Sequence, residues 1–290
     1  MRRGTCLQSP VALLFLSGVV TRVIDLHCHL LPGIDDGPTE LALSLAMAEA
    51  AVADGITTTA CTPHIYPGLY ENDKAGIERA IATMRIELER AGIPLQLVAG
   101  ADTHLAPDMV DGLKRGRIPT LAGSRYFLFE PPHHVAPARM DDMIFSLMTA
   151  GYLPVVTHPE RLSWIEESYE IFPNMVKAGA WMQITAGSLT GRFGKRPKYW
   201  AERMLDEGLV HILATDAHNM ARRGPWLAEG RDAAAKRVGN DEALRLVQAR
   251  PQGILDNAEP AALAATMPKT AVVQPARSRN RLQQWFGRRT

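Results

Sequence analysis

The stretch Val23-Ile-Asp-Leu-His-Cys-His29, running on through Leu30-Leu-Pro-Gly-Ile-Asp-Asp-Gly37, decides the fold. Its β-branched opening predicts a strand. The period of two then turns His27 and His29 to one side and Cys28 to the other, into the core. The glycine-bounded loop that follows brings Asp36 to the same end. Outward from it the chain repeats one pattern: a short apolar run, an ionisable residue at its end, then a longer helical stretch. The runs are Val23–His29, Ile56–His64, Leu95–His104, Arg125–Glu130, Leu153–His158, Trp181–Thr185 and Val210–His218. Amphipathic helices are expected over Glu40–Asp54, Asp73–Ala91, Pro107–Arg115, Pro137–Ala150, Ser168–Ala178 and Pro197–Glu207. Gly55, Gly92, Gly151, Gly179 and Gly208 follow five of them, where a C-terminal cap needs a left-handed residue. Seven βα units with short connections predict an α/β fold with a parallel sheet closed into a distorted seven-stranded (β/α)7 barrel. A last helix over Asp241–Ala249 is expected to end before Pro251.

Barrels of this kind carry their sites at the C-terminal ends of the strands. Six of the seven runs deliver a His, Asp or Glu to that rim: His27 and His29, His64, Asp102, Glu130, His158, then Asp216 and His218, with Asp36 in the first loop. His211 has the wrong parity to join them. One buried imidazole is most often a packed structural residue, but five imidazoles and four carboxylates at successive strand ends are hard to obtain by packing. Nine such groups exceed the four or so that one zinc ion takes, and the mixed imidazole and carboxylate set suits Mn, Fe or Zn. Two or three divalent ions with shared carboxylates are therefore expected. Such clusters hydrolyse phosphoesters or polarised carbonyls. Arg161, three residues beyond His158, offers a planar guanidinium for phosphate, unless it pairs with Glu160 or another acid.

The remaining arithmetic narrows the class. Of 290 residues, 46% are hydrophobic and 22% charged, a globular composition. Lys and Arg number 32 against 31 Asp and Glu, a net of +1 that disfavours a nucleic-acid coat. Nine of those cations lie in residues 1–22 and 260–290, where no acid occurs, so the 23 that remain face all 31 acids and residues 23–260 carry a net of −8. Cys6, Cys28 and Cys61 make no disulfide framework, which favours a reducing, cytoplasmic setting. The apolar run Val11–Val20 is too short for a membrane span. Residues 1–22 read as an extension, 23–260 as the barrel and 261–290 as a basic, disordered tail. Other phosphatase routes are missing. Six residues after each cysteine stand Ala12, Ile34 and Pro67 rather than Arg, and no Asp-x-Asp pair, Gly-x-Ser-x-Gly elbow or P-loop pattern appears.

Ile24-Asp-Leu-His-Cys-His-Leu-Leu-Pro-Gly-Ile-Asp-Asp-Gly-Pro38 resembles the PHP (polymerase and histidinol phosphatase) superfamily, within it the bacterial capsule and exopolysaccharide tyrosine-phosphatase branch. Thr62-Pro-His64, His158-Pro-Glu-Arg161, Gln183-Ile-Thr-Ala-Gly-Ser-Leu-Thr-Gly191 and Ala214-Thr-Asp-Ala-His218 are similar to that branch's later motifs. The resemblance implies a trinuclear site. His27, His29, Asp102 and Asp216 would hold one metal, Asp102, Glu130 and His158 a second, and Asp36, His64 and His218 a third. It implies Arg161 as the phosphate-binding cation, Asp216 or His218 as proton donor to the leaving phenoxide, and manganese as the usual metal. The implied partner is the phosphotyrosine tail of a membrane-anchored bacterial tyrosine kinase. Asp102 departs from the family's usual Glu, a shorter arm for a bridging ligand. Histidinol-phosphate hydrolysis stays open, because the ligand set alone does not choose a leaving group. So does a non-catalytic metal-binding regulator. His104, His133 and His134 receive no role.

Overall fold

The computed structural model describes residues 22–263. The expected extension, apart from Arg22, and the basic tail, apart from residues 261–263, lie outside the described residues. The strands are β1 (Val23–Cys28), β2 (Ile56–Cys61), β3 (His64–Ile65), β4 (Gln96–Ala99), β5 (Asp102–His104), β6 (Tyr126–Glu130), β7 (Leu153–Thr157), β8 (Trp181–Thr185) and β9 (Ile212–Ala214). The helices are α1 (Leu41–Ala53), α2 (Lys74–Ala91), α3 (Met109–Lys114), α4 (Met140–Thr149), α5 (Ile171–Ala178), α6 (Ala186–Leu189), α7 (Lys195–Asp206), α8 (Ala228–Val238), α9 (Asn240–Val247), α10 (Ala249–Leu255) and α11 (Pro260–Leu263).

All the strand pairs are parallel, in two sheets: β1-β2-β4, and β3-β5-β6-β7-β8-β9. Two of the seven expected runs are each broken in two. Ile56–His64 divides at Thr62-Pro63, where proline has no N–H to give a ladder. Leu95–His104 divides at Gly100-Ala101. A side chain at Gly100 would lie 2.9 Å from Leu121 Cδ2 and 3.0 Å from Thr62 Cγ2, so the chains close up there only around glycine. The first strand also meets the last: the Asp216 N–H donates to the His27 carbonyl at 2.8 Å, and the His29 N–H to the Ala217 carbonyl at 2.9 Å.

The strands are buried on both faces, as a parallel sheet under helices must be. Ile24, Leu26, Tyr126, Leu128, Val155, Trp181 and Ile212 form one apolar cluster, floored by Leu121 and Ile254. Their alternates Phe127, Phe129, Val156, Met182, Ile184 and Leu213 join the larger cluster with the helices, and Cys28, 2% exposed, lies in it as its parity required. Helix ends follow the sequence closely. Asp73 caps α2 by accepting the Gly76 N–H at 2.7 Å, and Gly92 ends it with φ 69°. Gly55, Gly151, Gly179 and Gly208 likewise take positive φ. The expected last helix is α9, which ends at Val247, before Pro251. Pro251 itself occupies the first turn of α10, where its missing N–H leaves no bond unmade. Residues 261–263, expected in the tail, complete α11. Among the described residues no helix is long and apolar enough to cross a membrane.

Candidate metal centre

The apolar floor becomes an ionisable layer within one or two side-chain steps along each strand. On β6 the inward row runs Tyr126, Leu128, Glu130; on β7, Val155 then Thr157; on β8, Trp181 then Gln183. In β1 the pairing with β2 slips between Asp25 and Cys28, a bulge that adds one residue to the strand. Leu26 can thus join the floor while the next residue, His27, enters the layer above it. His158 and Asp216 leave their strands at φ 35° and 50°, conformations that side chains other than glycine seldom adopt. That strain is stored where the two side chains turn to the common centre.

All nine predicted residues converge there. Nε2 of His27 lies 3.2 Å from Nε2 of His29 and 3.4 Å from both Asp102 Oδ2 and Asp216 Oδ1. His64 faces Glu130 at 3.4 Å, Asp36 at 3.5 Å and Asp102 at 3.6 Å. His158 Nε2 is 3.7 Å from Asp102 and 3.8 Å from Glu130, and His218 Nε2 is 3.1 Å from Asp36 Oδ1. Four sets have donor atoms within 4.8 Å of one another: His29, Asp36, His64 and His218; His27, His29 and Asp216; His27, Asp102 and His158; His64, Asp102 and Glu130. The grouping differs from the expected one: Asp102 is not in the His27–His29–Asp216 set, and His158 groups with His27 and Asp102 rather than with Asp102 and Glu130. His29 also belongs to two sets, and His64 reaches the Asp102–Glu130 set. Asp102, although a methylene shorter than Glu, still touches three imidazoles with one oxygen.

The donor set fits cations. His64 Nδ1, Asp102 Oδ2 and His218 Nε2 are buried with no hydrogen-bond partner, although almost every buried polar atom of a folded protein has one. Divalent ions would satisfy all three. The ring orientations also suit ligation. His27 Nδ1–H donates to Gln183 Oε1 at 2.9 Å and His29 Nδ1–H to Asp35 Oδ2 at 2.7 Å, leaving each Nε2 toward the centre. Burial, then repulsion from His218 and His64, lowers His29 to about 3, a neutral ligand. Burial also pulls His27 down, but Asp102 and Asp216 outweigh it and raise it to about 9. His64, likewise buried, is raised to about 10 by Glu130 and Asp102. Burial raises Glu130 as well, yet His104 and His64 hold it at about 2.

Two guanidiniums cover Asp216. Arg223 Nη2 donates to its two oxygens at 2.9 and 2.8 Å, and Arg161 Nη1 donates to Oδ2. Despite complete burial, these cations hold the carboxyl far below its usual range. Glu160 is not the partner of Arg161. It is buried and accepts from the Thr185 N–H and the Ser188 hydroxyl. Arg161 also lies over the Phe193 ring at 4.6 Å.

Sequence reasoning missed three of these residues. Gln183 stands in a quoted motif, and its parity with Trp181 was a usable signal. Asp35 adjoins Asp36 and holds His29, the Gly37 N–H and the His64 N–H. Arg223 lies in an irregular loop with no pattern to reveal it. His104 pairs with Glu130 at 3.4 Å and stacks on Tyr66, and His133 is half-buried beside the centre. His211 lies apart, stacked on Trp181.

Comparison with known proteins places this arrangement. The chain is 35% identical over 219 residues to tyrosine-protein phosphatase YwqE of Bacillus subtilis, covering 76% of this chain and 86% of that protein. It is 28% identical over 265 residues to the putative tyrosine-protein phosphatase CapC of Staphylococcus aureus, covering 91% and 99%. A solved structure from work on YwqE and on CpsB from Streptococcus pneumoniae, described there as unique metal-dependent tyrosine phosphatases, matches with TM-score 0.78 at 34% identity, over 81% of this chain and 95% of that one. The phosphotriesterase from Mycobacterium tuberculosis, at 13% identity and TM-score 0.54, shares the fold alone. Residues 23–256, from the first strand through α10, match the model of the capsular polysaccharide synthesis family CpsB/CapC, and the chain belongs to that family.

Proposed function

We propose that this protein is a metal-dependent protein-tyrosine phosphatase, a phosphoric monoester hydrolase built on the seven-stranded barrel of the PHP superfamily. In that reading each of the two broken runs counts as one strand. Its substrate is the phosphotyrosine tail of a membrane-anchored bacterial tyrosine kinase governing capsule or exopolysaccharide synthesis, met in the cytoplasm. The observation that carries the reading is the pairing of nine convergent His, Asp and Glu side chains, several of their buried atoms unsatisfied, with two guanidiniums at the same centre.

Two or three divalent ions fit the donors, manganese first, with iron or zinc as alternatives. His27, His29, Asp102 and Asp216 would hold one, Asp102, Glu130 and His158 the second, and Asp36, His64 and His218 the third. When bound, they supply Lewis-acid neutralisation of the phosphoryl oxygens and activation of water at neutral pH. The chain's own residues do the rest. Gln183 and Asp35 fix the rings of His27 and His29. Arg161 and Arg223 present N–H forks to the phosphoryl oxygens. Asp216 is held ionised by Arg223 and Arg161 and has no proton for the departing phenoxide. His218 keeps only its Nδ1–H once Nε2 serves a metal, and that N–H rests on the Asp216 carbonyl at 3.0 Å. Of the expected donors neither is free, and water is left to protonate the phenoxide. Residues 23–260, with a net charge of −8, do not by themselves attract an acidic peptide, so the cations at the centre set the local sign.

Prolonged chelation is expected to abolish hydrolysis of an aryl phosphate, with Mn or another divalent ion restoring it. Full turnover by metal-free protein would overturn the reading.

A further inference from the structure

The burial of the nine centre residues shows where the site opens. His27, His29, Asp102, Asp216, His218 and His158 are 0–4% exposed at the side chain, Glu130 and His64 are 13%, and Asp36 is 42%. A phosphoryl group seated at the centre would therefore point its leaving oxygen out past Asp36, the most exposed of the nine, with His64 and Glu130 at the rim.

One segment borders that opening without having entered the chemistry. Tyr70 stacks on the His64 ring, with centroids 5.6 Å apart and planes 12° from parallel. It sits in a tight loop closed by the Tyr66 N–H to the Tyr70 carbonyl at 3.0 Å and the Tyr70 N–H to the Tyr66 carbonyl at 2.8 Å. Asn72 Nδ2 ties the loop's base to the Ile34 and His64 carbonyls, both at 2.9 Å, and so to the segment that carries Asp36. Tyr66 is spent on His104, against which it stacks at 3.8 Å. Tyr70 is half-buried, with one face on His64, and Leu69 at the loop tip is 61% exposed. A loop bonded this closely is a fixed wall, and a preformed aromatic wall binds a ring with little ordering cost.

We infer that the Tyr66–Tyr70 loop is the leaving-group subsite, with Tyr70 as the residue that packs against the aromatic ring of an aryl phosphate and so selects aryl over alkyl esters. Tyr70 donates no proton in this role. Its contact is the ring face and edge, extended outward by Leu69. The inference rests on the phosphatase reading and names the part of the site that recognises the phenyl group.

The test uses metal-loaded full-length protein and two non-hydrolysable probes, benzylphosphonate and methylphosphonate, with affinity and metal content measured together. The wild type is expected to prefer benzylphosphonate. Tyr70→Leu and Tyr70→Ala should reduce that preference about five- to tenfold, the usual worth of an aromatic pair. Methylphosphonate affinity and bound metal should stay within about twofold, and Tyr70→Phe should behave as wild type. An unchanged preference in both variants overturns the inference. So does an equal loss for both probes accompanied by loss of metal, which would mean that Tyr70 acts through His64. A wild type that hydrolyses phosphotyrosine peptide but shows no benzyl preference refutes the wall alone. One that shows the preference but never hydrolyses the peptide keeps the wall and refutes the phosphatase.

Discussion

Arg161 donates to Asp216, 55 residues further along the chain, and not to its neighbour Glu160. The ion pair joins the turn after β7 to the turn after β9 at the centre, and Arg223 also donates to Asp216. Asp216 is thus neutralised by two groups that carry no ligand function. Arg161→Ala should lower turnover of an aryl phosphate by about 10²–10³-fold, the usual cost of one preorganised charge-stabilising donor. Bound metal, measured on the same preparation, should be unchanged because Arg223 still faces Asp216. A variant that loses metal would make Arg161 a structural ion-pair residue.

Loading metal should expel protons. His27 and His64, raised to about 9 and about 10, are cations at neutral pH in the metal-free chain, and coordination requires their neutral forms. Calorimetry of metal uptake near pH 7.5 in buffers of different ionisation enthalpy should report about two protons released per chain. The sign for stability follows. A folded-state pKa above the unfolded value stabilises fully below the unfolded pKa of about 6.5, and that contribution disappears as pH rises through 9 to 10. The metal-free protein should therefore lose melting temperature between about pH 6.5 and 10 more steeply than the loaded one. Uptake with no proton release would contradict the assignment.

Asp35 is expected to matter although it reaches no other ligand's donor atom at the centre. It fixes the His29 ring from behind and accepts the His64 N–H at 3.1 Å. Asp35→Asn should weaken metal affinity about 10–100-fold, the usual cost of losing such a support. Competition with a chelator measures it, and wild-type affinity in the variant would reduce Asp35 to a turn residue.

Gly37 closes the same loop. An added Cβ would lie 2.6 Å from the His29 carbonyl oxygen and 2.9 Å from Asp35 Oδ1, and neither can retreat without moving a ligand. Gly37→Ala should cost about 1–3 kcal/mol, as overpacking does. It should also lower metal content, read by denaturant titration and metal analysis together. A variant as stable and as metal-rich as wild type would show that the loop shifts freely.

Much of this was legible because strand periodicity and strand ends are local properties. His27 and His29 share a side through a period of two, and the bulge at Asp25–Cys28 does not disturb their relation to each other. What stayed hidden depends on distance in space. Asp35 and Asp36 are chemically identical neighbours, and only the folded loop shows that one supports a ring while the other opens to solvent. Arg223 reaches Asp216 from an irregular loop. The Arg161–Asp216 pair needs the order of β7, β8 and β9. Helix α8, Ala-Glu-Gly-Arg-Asp-Ala-Ala-Ala-Lys-Arg-Val over Ala228–Val238, escaped notice because it has no large apolar stripe. It packs close to α6, where a Cβ on Gly230 would meet that of Ala186 at 2.5 Å, a fit with no periodic signature.

The central claim is that a metal-loaded centre flanked by Arg161 and Arg223 removes phosphate from tyrosine. The direct measurement is initial rates of phosphate release, with and without added divalent metal, from a phosphotyrosine peptide and from histidinol phosphate. The account predicts metal-dependent release from the peptide at a kcat/KM at least about tenfold above that for histidinol phosphate, a gap of about 1.4 kcal/mol in transition-state binding. Faster release from histidinol phosphate, or no release from either substrate by fully loaded protein, would contradict it.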